Sequence, residues 1–275
     1  MMNILLLVLL LVSSASCISV PIKVGFIGDS ITVGVCASSP VSSYTAQLQS
    51  LLGGNYIVSN FGNSGKTLLK KTRSPYWNTQ SWRLARNDVD DVYVIMLGTN
   101  DAKTEYWYPC IGPDGVSECS WISGDNFIAD LVEMIARLRD QSGAASVFVV
   151  APPRLFLAPE GTLNQTVINV VLPALLPQIA AANDARYVAF TNALASFNDT
   201  CDGIHPNDSG YAKIAAVMHR QLLALSQTLG WDETHPYVRA TNERILAAGT
   251  AQGSGTRRTP TWHVLSAAVG LLLFA

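Results

Sequence analysis

The stretch KVGFIGDSITVG, residues 23–34, joins a short apolar run to turn residues and the start of a helix. Its apolar half, residues 23–27, is typical of a buried strand, and Gly28, Asp29 and Ser30 follow it directly. A serine at the carboxyl end of the first strand of a doubly wound sheet lies where such folds bind their ligands. Serine is also a favoured helix N-cap. The tripeptide alone therefore leaves two roles open for Ser30, nucleophile and cap.

Four further apolar runs extend the pattern begun by this strand. They are residues 56–60, 92–97, 146–150 and 187–190, each followed by turn residues. Amphipathic segments at residues 125–140 and 209–229 have apolar side chains at helical spacing, and Pro173 and Pro177 are expected to divide a third segment, 164–182, into two pieces. Alternating strands and helices predict an α/β fold, a three-layer α/β/α arrangement around a parallel five-stranded sheet covered on both faces.

The two ends of the chain have the composition of processing signals. Residues 1–17 are apolar and then small, which predicts a secretory signal peptide; a buried strand and a bacterial lipoprotein signal at Cys17 are the alternatives. Residues 246–263 form a linker with small residues and a polar spacer, and residues 264–275 form an apolar tail. This order predicts a GPI-attachment signal, with a short tail anchor or an incidental apolar end as alternatives. The hydrolase domain is expected to occupy residues 18–245, outside the cell.

Charge and cysteine content narrow the function further. The net charge is −2 at pH 7, which provides no basic surface for a nucleic acid. Apart from Cys17, the four cysteines form no CxxC pair and are even in number, which favours disulfides over a zinc site. Sequons at Asn164, Asn198 and Asn207 are possible glycosylation sites.

A nucleophilic serine needs a base, and the chain has four histidines. His263 lies in the spacer of the tail, His235 follows the last predicted helix and His219 lies within that helix. His205 instead lies in a loop three residues after Asp202. A carboxylate on one ring nitrogen sets the tautomer while the other nitrogen accepts the serine proton. His205 with Asp202 is therefore the predicted acid/base pair.

Acyl transfer also needs donors for the oxyanion that develops on the attacked carbonyl. Two loops at predicted strand ends contain glycine and asparagine, residues 60–65 and 98–101. Glycine lets backbone approach a substrate and an asparagine amide can donate a hydrogen bond. Each loop taken alone is an ordinary turn, but four such loops at carboxyl strand ends form a specific pattern.

These four blocks resemble those of the SGNH (GDSL-type) hydrolases: Ser in GDS, a Gly, Asn in GxND, and Asp-x-x-His. The resemblance covers nearly the whole predicted domain and implies a flavodoxin-like fold. It implies Ser30 as nucleophile, Asp202 as orienting acid and His205 as base. It further implies an oxyanion hole formed by the amides of Ser30, Gly62 and Asn100, without metal or cofactor. The absence of a G-x-S-x-G motif argues against an ordinary α/β-hydrolase.

The segment from Gly65 to Trp77 is similar to members of the carbohydrate-esterase, sialate O-acetylesterase-like branch. Six aromatic residues in the loops beyond the second and third strands could stack on sugar rings or pack the loops onto the domain, and both roles stay open. They are Tyr76, Trp77, Tyr106, Trp107, Tyr108 and Trp121.

The positions of the cysteines can be compared with those of the predicted loops. Cys110 and Cys119 bracket a Gly-Pro-Asp-Gly turn, so a bridge between them would close that loop. Cys36 follows the Ser30 loop and Cys201 precedes Asp202, so a second bridge would tie the nucleophile loop to the acid/base loop. The alternative is that these cysteines are free and buried.

The sequence thus predicts a secreted serine esterase that acts on O-acetylated carbohydrates and carries a GPI-attachment signal. A lysophospholipase or thioesterase using the same site is the nearest alternative, since the mechanism does not distinguish acyl groups. A catalytically silent glycan-binding protein is the alternative from another class.

Overall fold

The structure is a computed structural model that describes residues 20–107, 124–143, 145–156 and 163–231. The strands are β1 (Ile22–Gly28), β2 (Tyr56–Gly62), β3 (Val92–Met96), β4 (Ser146–Ala151) and β5 (Arg186–Ala189). The helices are α1 (Ser30–Val33), α2 (Tyr44–Leu52), α3 (Gln80–Asn87), α4 (Thr104–Trp107), α5 (Gly124–Ser142), α6 (Leu172–Ala182) and α7 (Asp208–Leu229). The predicted signal peptide, spacer and tail lie outside the described residues.

The five strands form one parallel sheet in the order β2-β1-β3-β4-β5. The direction of winding reverses between β1 and β3, which is the point where open α/β sheets bind ligands beyond the carboxyl ends of their strands. Ser30 follows β1 and Asn100 follows β3, so the topology brings these two predicted site residues to the same point.

Two apolar cores cover the two faces of the sheet. Along β3, Val94 and Met96 belong to one core, whereas Tyr93 and Ile95 belong to the other, as the alternation of side chains along a strand requires. Helices α1, α2 and α7 contribute to the first core, and α3, α5 and α6 contribute to the second. The prediction of a three-layer α/β/α fold is confirmed.

The burial of the strands differs from the expectation at the edges of the sheet. The central strands β1, β3 and β4 are almost wholly buried, but the edge strands β2 and β5 are partly exposed. Ile57 of β2, for example, is 44% exposed. An edge strand has a neighbour on one side only, so the helices need not cover it completely.

The helical segment at residues 164–182 is not divided by its prolines. A π-helical turn, Val167–Val171, runs directly into α6, and Pro177 lies inside α6. Proline has no N–H to give to the carbonyl four residues earlier. Here that carbonyl belongs to Pro173, and it accepts a hydrogen bond from the Tyr187 hydroxyl at 3.4 Å. This outside donor compensates for the missing helical bond.

Candidate active site

Ser30 begins helix α1 directly after β1 and is 8% exposed. The cap of this helix is Asp29, whose Oδ1 accepts a hydrogen bond from Ile31 N at 3.0 Å. The alternative role of Ser30 as the N-cap is therefore wrong, because its neighbour performs that function. The hydroxyl of Ser30 is left to interact with another side chain.

That side chain is His205, whose Nε2 lies 2.9 Å from Ser30 Oγ. The other ring nitrogen, Nδ1, lies 2.7 Å from Asp202 Oδ2. The structure thus joins three of the predicted site residues in one hydrogen-bonded series, although Ser30 and His205 are 175 residues apart. This order of serine, imidazole and carboxylate is the one required for nucleophilic catalysis.

The loop that holds Asp202 and His205 is stabilised by its own hydrogen bonds. Asp202 Oδ1 accepts from Ile204 N at 2.9 Å and from His205 N at 2.7 Å. Burial raises the pKa of Asp202, but hydrogen bonds from the His205 backbone and ring and from Ile204 outweigh it, and the pKa lies below its usual value. The carboxylate therefore stays ionised next to the imidazole at neutral pH.

The disulfide predicted between Cys36 and Cys201 is present. It joins the segment after α1 to the residue immediately before Asp202, so it covalently links the two halves of the candidate site. The predicted partners Cys110 and Cys119 lie outside the described residues.

A metal is not held by this group of side chains. Ligand atoms of Cys36, Asp202 and His205 lie within 4.8 Å of one another. However, the Cys36 sulfur is bonded to Cys201, and the imidazole nitrogens face Asp202 and Ser30. Metal ligation requires a thiolate and a free ring nitrogen, which this arrangement does not provide.

Asn100 lies at the carboxyl end of β3, on the Ser30 side of the sheet. Its Nδ2 is 3.2 Å from Lys66 O and 3.4 Å from Asp29 Oδ2. The amide is thus held between the nucleophile turn and the loop after β2. Both N–H groups already have acceptors, so Asn100 can serve a developing oxyanion only by exchanging one of them, and the long contact to Asp29 Oδ2 is the one most easily exchanged.

Gly62 does not occupy the position expected of it. It is the last residue of β2, and its N–H donates to Asn60 Oδ1 at 2.8 Å. A Cβ at Gly62 would lie 2.5 Å from Val33 N, so the glycine permits close packing against the nucleophile turn. Because the N–H is already used, the geometry argues against Gly62 as an oxyanion donor.

Gly65, three residues further along, has the properties that Gly62 lacks. Its φ is +74°, and a Cβ there would meet no atom within 4 Å. Within the described part of the chain its N–H has no hydrogen-bond acceptor. The adjoining Lys66 carbonyl is the group that binds Asn100 Nδ2. The motif block contains both glycines, so the sequence alone could not distinguish them.

Two buried carboxyl groups were not singled out from the sequence. Asp29 caps α1, and Asp101 accepts from Leu69 N at 2.8 Å and from Leu68 N at 3.0 Å. Asp101 therefore fastens the loop after β2 to the loop after β3. Both residues belong to the GDS and GxND blocks, where an aspartate is easily taken for an ordinary turn residue.

Burial raises the pKa of Asp29 to about 6 and that of Asp101 to about 7. In both cases backbone N–H groups oppose the shift without cancelling it. Between the unfolded pKa and these values the folded state binds more protons, so the free energy of unfolding falls as the pH rises.

We therefore expect thermal stability to decrease between about pH 4.5 and pH 7.5, measured as Tm at a series of pH values. Asp29→Asn keeps an acceptor for Ile31 N–H but does not titrate, and it should flatten this slope. A slope that is unchanged in the variant, or a stability that rises with pH over this interval, would contradict the assignment.

The loop aromatics that the structure describes pack rather than face solvent. Tyr76 is fully buried, and Tyr106 is 6% exposed. Trp77 donates from Nε1 to Leu68 O and packs edge-on against Trp82. The sugar-stacking role is therefore wrong for Tyr76 and Tyr106, which belong to the core. Tyr108, Trp121 and the Trp107 side chain lie outside the described residues.

A parallel α/β sheet with serine, imidazole and carboxylate in series at its carboxyl edge is the arrangement of a serine hydrolase. The model of the GDSL-like lipase/acylhydrolase family matches residues 26–213. The chain belongs to this family, whose members hydrolyse carboxylic esters.

Known proteins similar to the chain include an acetylxylan esterase from Xylanibacter ruminicola, 32% identical over 216 residues. That match covers 72% of this chain but 42% of the relative, so the chain spans about two fifths of the length of that protein. A carbohydrate acetylesterase from Sinorhizobium meliloti matches with a TM-score of 0.57 and 22% identity, over 74% of this chain and 99% of that one. An aryl esterase from M. smegmatis matches with a TM-score of 0.57 and 23% identity over the same shares. At these identities the two structures support the fold alone.

Proposed function

We propose that the protein is an exported serine esterase that removes O-acetyl groups from carbohydrates through an acyl-enzyme on Ser30. The observation that carries this proposal is the hydrogen-bonded series from Ser30 through His205 to Asp202. The similarity to an acetylxylan esterase supports the choice of acetyl group and sugar.

In the first half of the reaction, Ser30 Oγ attacks the ester carbonyl carbon while His205 Nε2 accepts the hydroxyl proton. Asp202 holds the Nδ1 proton and stabilises the imidazolium that forms. The C–O bond to the sugar then breaks, and His205 returns the proton to the departing sugar oxygen. The acetyl group remains bonded to Ser30.

In the second half, water replaces the sugar. His205 accepts a proton from the water as it attacks the acetyl carbonyl, and the proton passes to Ser30 Oγ when the acyl bond breaks. Acetate leaves and the free serine is restored. The same groups perform both halves, and no further reactant is needed.

The oxyanion is placed at the N-terminus of α1. The Ser30 N–H is the first of that helix and has no acceptor within it. Asn100 Nδ2 is the second donor, and we assign the third to the Gly65 N–H in place of Gly62. Donors fixed in advance stabilise the transition state without reorganisation.

Replacing Asn100 with alanine should lower kcat by about 10²–10³-fold with little change in KM, since the amide acts on charge that develops only in the transition state. Steady-state kinetics on 4-nitrophenyl acetate measures both constants. Asn126→Ala, on α5, is the matched control. A rise in KM at constant kcat would instead identify Asn100 as a substrate-binding residue.

A paired substitution distinguishes the two glycines. Gly65→Ala keeps the N–H but puts a Cβ at φ +74°, which is strained for an L side chain. It should turn the N–H away from the oxyanion and lower kcat, with a modest loss of Tm. Gly62→Ala should chiefly lower Tm, because its Cβ would collide with the backbone at Val33. A Gly62→Ala protein that is stable but inactive would restore Gly62 as the donor.

The substrate assignment is tested with a panel of acetylated xylose and galactose, 4-nitrophenyl acetate and long-chain acyl esters. Acetylated sugars should give the highest kcat/KM. Preference for long acyl chains would support a lysophospholipase or thioesterase, and the absence of Ser30-dependent turnover would support a glycan-binding protein.

The Cys36–Cys201 disulfide supports the proposal that the protein is exported, since such bonds persist in oxidising compartments. Within the described ranges no helix is long and apolar enough to cross a membrane.

The proposal that the protein is held at the cell surface by a GPI anchor is tested by treating cells with a phosphatidylinositol-specific phospholipase. Release of the esterase into the medium is expected, and retention on the membrane would exclude this anchor.

A further inference from the structure

Arg154 follows β4 at the carboxyl edge of the sheet, on a stretch of backbone that is held by hydrogen bonds on both sides. It is exposed, but Pro153 before it and Leu155 after it are buried. Asn169, in the π-helical turn, accepts from Leu155 N and donates to Leu155 O, both at 2.9 Å. This bidentate contact fixes the residue that follows Arg154.

The same stretch is tied to the loop that contains Asp202 and His205. Phe156 N donates to Gly203 O at 2.9 Å. On the other side, the Pro152 carbonyl accepts from Thr191 Oγ1 at 3.2 Å. Arg154 is thus presented next to the candidate catalytic loop from a backbone anchored before and after it. Only the side chain would lose freedom on binding a ligand, which keeps the entropic cost low.

The guanidinium of Arg154 makes no ion pair with any described residue. Asp202, in the loop to which this stretch is tied, is engaged with His205. An arginine on fixed backbone that has no ion pair among the described residues can bind an anion from outside.

Two lysines add to the positive charge of this edge. Lys66 follows β2 and Lys103 follows β3, and neither makes an ion pair within the described ranges. Both are tied through their backbones to Asn100, by Lys66 O at 3.2 Å and Lys103 N at 3.3 Å. With Arg154, the segments that follow β2, β3 and β4 each carry a cation, in a chain whose net charge is −2.

We infer that Arg154 recognises a carboxylate on the sugar whose acetyl ester lies at Ser30, so that the preferred substrate is an O-acetylated acidic sugar of the uronate type. The inference rests on the proposed function. Strands β1 and β4 are two steps apart in the sheet, or about 10 Å at about 4.8 Å for each step. An extended arginine side chain after β4 can span part of that distance, and the remainder is enough for a sugar ring between the ester and the carboxylate.

The test compares wild type with Arg154→Gln and Arg154→Lys on acetylated galacturonate, acetylated galactose and 4-nitrophenyl acetate. Wild type should favour acetylated galacturonate over acetylated galactose by about tenfold or more in kcat/KM, the range of a charge-assisted hydrogen bond. Arg154→Gln should abolish this preference and leave 4-nitrophenyl acetate turnover within about twofold. Arg154→Lys should retain part of it, because lysine provides charge without the bidentate fork.

Arg220→Gln is the matched control, because Arg220 is an exposed arginine on α7 without an ion pair among the described residues. It lies about 18 Å along the helix from Asp208 at about 1.5 Å for each residue, and its loss should change none of the three rates. Wild type without a preference for the acidic sugar, or Arg154→Gln lowering all three rates equally, would overturn the inference.

A binding measurement distinguishes the failure of this inference from the failure of the proposed function. Titration calorimetry with galacturonate and galactose measures sugar binding without turnover. It should show a higher affinity for the sugar with the carboxylate, and Arg154→Gln should remove that difference. Inactivity on every ester alongside this binding would overturn only the esterase proposal. Equal binding of the two sugars by wild type and variant would overturn the role of Arg154 whatever the activity.

Discussion

Ser30→Ala is expected to lower kcat by about 10⁵–10⁶-fold, because both halves of the reaction pass through Ser30 Oγ. Residual turnover would come from the oxyanion donors and from substrate binding. The measurement is 4-nitrophenyl acetate hydrolysis, together with covalent labelling by a fluorophosphonate, which reacts with an activated serine. Wild type should be labelled at one site and the variant not at all.

Ser50→Ala is a suitable control, since Ser50 is an exposed serine on α2 whose hydroxyl binds Ala46 O. It should leave labelling and kcat unchanged. A folded Ser30→Ala protein that is labelled and active as wild type would remove Ser30 from the mechanism and with it the esterase proposal.

Asp202→Asn should lower kcat by about 10⁴-fold at neutral pH while the fold is retained. The amide oxygen can still accept from Ile204 N and His205 N, as Asp202 Oδ1 does. The NH₂ group then faces His205 Nδ1, where a carboxylate oxygen lies at 2.7 Å in the native protein. A donor at that position favours the tautomer with the proton on Nε2, which cannot accept the proton of Ser30.

The pH profile of kcat provides the specific readout for Asp202. At alkaline pH activity should not recover, because the tautomer rather than the charge is wrong. Asp208→Asn, which alters an exposed carboxylate bound to Ser38 at the start of α7, serves as the control and should retain wild-type activity. Loss of activity in both variants alike would point to a general effect of charge.

Much of the architecture could be predicted because strand burial leaves a local signal. Each of the five strands begins and ends within two residues of its predicted bounds, since a strand covered by helices needs a continuous apolar run. The series Ser30, His205 and Asp202 could also be predicted, because few histidines of the chain lie beside an acidic residue and because the motif blocks fall at the ends of predicted strands.

Features that depend on the direction of single groups could not be predicted in this way. The motif contains Gly62 and Gly65, and only the contact of the Gly62 N–H with Asn60 distinguishes them. Tyr76 is an aromatic loop residue of the kind that can bind a sugar, yet its hydroxyl donates to Phe61 O inside the core. In helix α6, the carbonyl left without a partner by Pro177 accepts from Tyr187, which lies outside that helix.

The sequence by itself determined the α/β class, the succession of strands and helices along the chain, and the residue types available at the carboxyl end of each strand. These follow from local hydrophobic periodicity and from turn chemistry, which act over a few residues. The tertiary structure alone decided that Ser30 meets a base 175 residues away, which N–H groups face the site, and that the stretch containing Arg154 is tied to the catalytic loop through Phe156 and Gly203. Such relations arise from packing between distant segments, and no local pattern in the chain records them.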